Sequence, residues 1–225
     1  MFARYLLLLA LAVCCRADDI LTPDSLGSGA DDSINVAGLN PLLAANLKVS
    51  FKDPYADVAK CSNTLLSKAL VGFDLNQLAN TGLYSYIYSS GVKSTKCVNG
   101  DIYGDEEIGF RASATLYESK SKSTNLVYDL SPNEDGTIDE TLTLDDGSSY
   151  DFKLVPLAFE KTIGVFYYGR CSTEGKSDTE SRSIVINQCN AKSNKAKKIV
   201  DAYVKRDASA GYKGDSLDKL QICNK

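Results

Sequence analysis

Histidine and tryptophan are absent from all 225 residues, and methionine occurs once. Without histidine there is no His-based catalytic triad, no imidazole metal ligand and no proximal haem ligand. Long apolar runs are scarce too. The run Tyr5–Cys15 is too short to span a bilayer. With Met1–Arg4 before it and Arg16-Ala17 after it, it reads as a secretory signal peptide over residues 1–17. A retained anchor is the alternative. No excess of basic charge exists either: the formal net charge of −4 falls to −6 when Arg4 and Arg16 leave with the leader. Nucleic acid and anionic membrane, which need basic patches, are disfavoured as partners. No Asn-x-Ser/Thr glycosylation site follows the leader.

What is present begins with cysteine. Cys14 and Cys15 depart with the leader, leaving Cys61, Cys97, Cys171, Cys189 and Cys223. Their wide spacings match no zinc pattern, so no metal is expected. In an oxidising compartment five cysteines read as two disulfides and a leftover thiol, with the pairing open. Residues 18–60 are polar, acidic and broken by Pro23, Gly27, Gly29, Gly38, Pro41 and Pro54. They read as a poorly ordered extension, or as a pro-segment or interaction arm.

From residue 61 the chain acquires structure-forming periodicity. Cys61–Leu70 has helical character, and Asp74 can cap a turn carrying Leu75 and Leu78. Asn80-Thr81-Gly82 is a break. Eight strands then follow with short turns between them: Leu83–Tyr88, Cys97–Tyr103, Ile108–Glu118, Asn125–Leu130, Thr137–Leu144, Tyr150–Leu157, Thr162–Cys171 and Ser181–Gln188. Pro132–Gly136 and Asp145-Asp146-Gly147 are turn signals. One amphipathic helix, Ala191–Lys205, places Ala196, Ile199, Val200, Tyr203 and Val204 on one face and lysines off it. The expected fold class is all-β: an eight-stranded antiparallel up-and-down barrel over residues 61–225, with one C-terminal α-helix packed outside. A barrel of that size can hold one small ligand.

The order of elements resembles the lipocalin family, nearest in layout to the secreted arthropod lipocalins. Gly82-Leu83-Tyr84 is similar to the family's Gly-x-Trp motif, with Tyr84 in the Trp position. The second motif, Thr-Asp-Tyr, falls at Leu157-Ala158-Phe159, where the aromatic alone is kept, and the third-motif Arg falls near Gln188. The tail from Leu217 to Cys223 also matches the layout. The resemblance implies disulfides Cys61–Cys171 and Cys97–Cys223, with Cys61–Cys189 as the competing pair. It implies a barrel floor at Gly82 and Tyr84.

In such a barrel alternate strand residues line the pocket. Strand parity nominates Tyr86, Tyr88, Phe110, Tyr128, Leu142, Phe152 and Tyr167 as ligand contacts. Each can equally be plain core, and a one-residue slip swaps whole faces. Tyrosines suit a ligand with one polar end. Amine ligands need a buried acid, and Glu140 shares the inward parity of its strand. The reading is a secreted protein that binds and carries or sequesters a small hydrophobic ligand, needing no cofactor. A thiol enzyme or isomerase built on Cys189, which precedes a helix, is the alternative, although no histidine could activate the sulfur. A storage or structural protein with incidental lipid is the third reading.

Overall fold

The computed structural model describes residues 58–90, 96–117, 123–144 and 147–223. The leader and most of the expected extension lie outside the described residues. Eight antiparallel strands run up and down in sequence order: β1 (Tyr84–Ser90), β2 (Cys97–Asp105), β3 (Gly109–Tyr117), β4 (Ser123–Pro132), β5 (Ile138–Thr143), β6 (Ser149–Glu160), β7 (Val165–Cys171) and β8 (Ser181–Asn187). Each pairs with the next, β8 pairs with β1, and β1 closes on β2 through Tyr84–Gly100 and Ser85–Asn99. The result is a closed barrel without long exposed edges.

One end of the barrel is sealed by the segment before β1. A single turn of helix, α1 (Asn63–Leu66), is capped by Ser62, and a 3₁₀ turn, Leu75–Gln77, is capped by Asp74, whose side chain accepts from the Asn76 N–H at 2.9 Å. Leu75, Leu78 and Ala79 enter the interior cluster. Asn80 then takes a φ of +59° and Gly82 of +99°, reversing the chain into β1. The Asn80 N–H donates to the Ile102 carbonyl at 2.7 Å, which stitches this seal to β2.

The helix α2 (Asn194–Ser209) begins three residues later and ends four residues further on than its apolar pattern suggests. The 3₁₀ turn Gln188–Asn190 and the Ser193 cap set its start. Its Ala196 and Val200 pack on the outside of β6, β7 and β8 with Val155, Val165, Ile184 and Ile186. The lysines at 192, 195, 197, 198 and 205 are exposed. Beyond it, a ninth strand, β9 (Leu217–Lys219), pairs with the upper part of β1 and sends Leu220 into the barrel core. Val58–Lys60, which the sequence reading assigned to the extension, also belongs here: Ala59 and Lys60 bridge to Ser177 and Ser172, and Val58 and Ala59 are buried. Among the described residues no helix is long and apolar enough to cross a membrane.

Two disulfides join Cys61 to Cys171 and Cys97 to Cys223, closing sequence separations of 110 and 126 residues. The first ties the lead-in segment to the end of β7, and the second ties the C-terminal tail to the start of β2. Cys171, not Cys189, is therefore the partner of Cys61. Replacing Cys97 and Cys223 by serine is expected to lower stability by about 2–5 kcal/mol, because the closed loop is long. Urea denaturation under non-reducing conditions measures it.

Candidate functional site

Among the described residues the barrel interior is mainly apolar, with a polar cluster on β5 and β7. Inward residues of β7 are Phe166, Tyr168 and Arg170, and Glu140 points inward from β5. Arg170 Nε donates to Glu140 Oε2 at 2.5 Å, and the two side chains are 7% and 6% exposed. The guanidinium lies over the rings of Tyr128 and Phe152, 4.6 Å from each centroid, and both rings stabilise its charge. Tyr168 donates its O–H to the Tyr86 hydroxyl oxygen at 2.6 Å. Arg170, Glu140, Tyr86, Tyr128 and Tyr168 thus converge on one cavity of about 60 Å³.

Small residues make that cavity. Gly100 on β2 and Ala112 and Ala114 on β3 form part of its wall, where any larger side chain would fill the space. Gly100 is also imposed by the backbone, since a Cβ there would sit 2.6 Å from the Ser113 carbonyl oxygen. Leu78 and Tyr84 line the cavity from the sealed end. The Tyr84 hydroxyl is 2.9 Å from Thr81 Oγ1, while Gln188 bonds the neighbouring Ser85 hydroxyl at 2.9 Å. Gln188 therefore braces the strand beside Tyr84 and does not replace an arginine stacked on it.

Burial sets the electrostatics. It pushes the Glu140 carboxyl above its ordinary range, against the pull of Arg170. It also works to discharge Arg170, but Glu140 and the surrounding tyrosines hold that guanidinium above the usual arginine range. The hydroxyls of Tyr84, Tyr86 and Tyr168 are raised chiefly by burial, and Tyr128 is pushed up to about 12. A folded-state pKa above the unfolded value of 10.0 adds stability that is complete below pH 10. That share is lost as pH rises through about 12. A phenolate absorbance titration is expected to show a late group of tyrosines whose ionisation coincides with alkaline unfolding.

The parity-based candidates divide three ways. Tyr86 and Tyr128 lie in the cavity wall. Phe110, Leu142 and Phe152 face the interior as core, outside the cavity lining. Tyr88 and Tyr167 are corrected to the outer cluster under α2. For Tyr88 the reason is a β-bulge between Tyr86 and Tyr88, which inserts Ile87 and flips the remaining residues of β1. For Tyr167 it is the burial of all seven residues of β7: with helix on one side and barrel interior on the other, no polar alternation marks the faces. Tyr167 instead donates its O–H to Asp207 Oδ1 at 2.6 Å. The same slip conceals Arg170, Tyr168 and Phe166, and Gly100, Ala112 and Ala114 carry no side-chain signal that marks a cavity wall. Among the described residues no cluster of acidic or cysteine side chains could hold a metal.

No family model and no curated protein matches this chain. Solved structures do. The major allergen Per a 4 from cockroaches aligns with a TM-score of 0.51 at 13% identity, covering 73% of this chain and 96% of that one. The tryptamine complex of the amine binding protein of Rhodnius prolixus aligns with a TM-score of 0.53 at 10% identity, covering 74% and 91%. At such identities the likeness is one of architecture, that of the closed eight-strand barrel described above. This chain has the lipocalin fold.

Proposed function

We propose that the protein is an extracellular carrier or scavenger of a small, mainly apolar ligand with one polar end, held inside the barrel. The observation that carries this reading is the convergence of Arg170, Glu140, Tyr86, Tyr128 and Tyr168 on a void in a mainly apolar interior. Ligand sites commonly combine apolar walls with a few convergent polar groups in this way. The similarity to an amine binding protein and the paired cysteines support it. Binding removes apolar ligand surface from water, worth about 25 cal/mol per Å². The free space of about 60 Å³ is well below that of pockets for drug-sized molecules, so the ligand is compact or gains room by displacing interior side chains. Removal of a leader after Ala17 would make Asp18 the mature N-terminus.

The test is to purify the protein from its native source and analyse it by mass spectrometry before and after denaturation. A single compound released at about one per chain supports the proposal. Protein that is consistently empty and takes up no small apolar molecule contradicts it.

A further inference from the structure

Resting on that reading, we infer that the cavity selects a neutral ligand whose polar end is a hydrogen-bond acceptor, such as a ketone or ether oxygen, and discriminates against amines and carboxylates. Three observations carry this. First, the carboxylates of the cavity lining are already engaged: Glu140 accepts from Arg170 at 2.5 Å, and Asp101 accepts from the Ser113 hydroxyl. An ammonium ligand offers donors alone, so it would have to compete with one of these bonds for a carboxylate. Second, the charges at the cavity's polar end cancel. A ligand carboxylate reaching Arg170 would sit beside the Glu140 carboxylate, in surroundings too dry to screen their repulsion. Either charged ligand would also be stripped of water on entry, a cost a neutral head avoids.

Third, the groups with bonding capacity left can all donate. Tyr86 accepts from Tyr168, which leaves its own O–H to give. Arg170 has five N–H donors, and Glu140 and Tyr128 account for two. Beside Arg170 in the β7–β8 register, Ser181 carries a buried hydroxyl with no hydrogen-bond partner among the described residues. Buried hydroxyls seldom stay unpaired, so this one marks unused capacity at the polar end of the barrel. The acid that parity alone would nominate for an amine therefore serves to neutralise arginine. The cation bound by the structurally similar amine binding protein does not carry over to this chain.

Four compact probes of similar size separate the possibilities: cyclopentanone, cyclopentylammonium, cyclopentanecarboxylate and headless methylcyclopentane, each titrated into the intact protein at pH 7 by NMR. Cyclopentanone is expected to bind at least tenfold tighter than each of the others. In Tyr86→Phe its advantage over methylcyclopentane shrinks severalfold. Equal or tighter binding of either charged probe overturns the inference and leaves the carrier reading standing. So does methylcyclopentane matching cyclopentanone in the wild type. If none of the four binds, the carrier reading falls and the selectivity falls with it.

Discussion

Glu140→Leu is expected to destabilise the protein by about 3–5 kcal/mol, because it strands the Arg170 charge inside the barrel. Arg170 is buried, and its carboxylate partner among the described residues is Glu140. The rings of Tyr128 and Phe152 remain as cation–π partners, but they recover only a fraction of the loss. The double substitution Glu140→Leu with Arg170→Met is expected to be near neutral or to stabilise, since replacing both members of a buried pair by apolar groups removes two desolvation costs together. Urea denaturation followed by tyrosine fluorescence reads both variants, with no tryptophan signal to obscure it. A double variant as unstable as the single one would mean the pair holds the barrel together. Recovery in the double variant means that stability does not explain the pair, which leaves ligand recognition as its role.

The second large effect belongs to the outside of the barrel. Asp207→Ala is expected to cost about 3–5 kcal/mol and to loosen α2. Arg182 on β8 donates to Asp207 Oδ1 at 2.8 Å and to Oδ2 at 3.1 Å, and the two side chains are 3% and 4% exposed. Tyr167 donates to the same carboxylate, and Arg182 also bonds the carbonyls of Glu180 and Asp215. This network joins β7, β8, the last turn of α2 and the loop leading to β9. Asp207→Asn keeps the shape but loses the charge, and is expected to fall between wild type and Asp207→Ala. A loss under about 1 kcal/mol for Asp207→Ala would show that water already screens the pair. The barrel cavity lies on the other face of the sheet, so wild-type probe affinity should persist in Asp207→Asn under conditions where it is folded.

These two ion pairs also show where sequence reading stops. Turn residues and alternating strands made the eight strands legible, and Asp74, Asn80 and Gly82 announced the sealed end in their own residue types. Glu140 could be placed inward from the parity of Ile138 and Leu142. Its partner could not, because Arg170 lies 30 residues away on a strand whose faces are both buried. Two bulges, between Tyr86 and Tyr88 and between Pro156 and Ala158, reset parity without any glycine at the site to signal them. The second brings Phe159 inward against Phe73 and Phe166, with ring centroids 5.8 and 6.0 Å apart. Asp207 was hidden because a lysine-rich helix looks finished at Lys205, and one further turn holds the single buried acid on it. Short β9 carries too little pattern to be seen, being defined by its pairing with β1. The cavity escaped notice for a related reason: a void is written in alanines and a glycine, which composition treats as unremarkable.

The most direct measurement of the central claim is a titration of cyclopentanone into wild-type protein and into Ala114→Phe. The substituted ring fills the wall of the cavity, at an overpacking cost of about 1–3 kcal/mol that the disulfide-tied barrel can absorb. One equivalent bound by the wild type and none by a folded Ala114→Phe is the predicted result. Equal binding by both proteins, or none by the wild type, would contradict the assignment of this barrel interior as a ligand site.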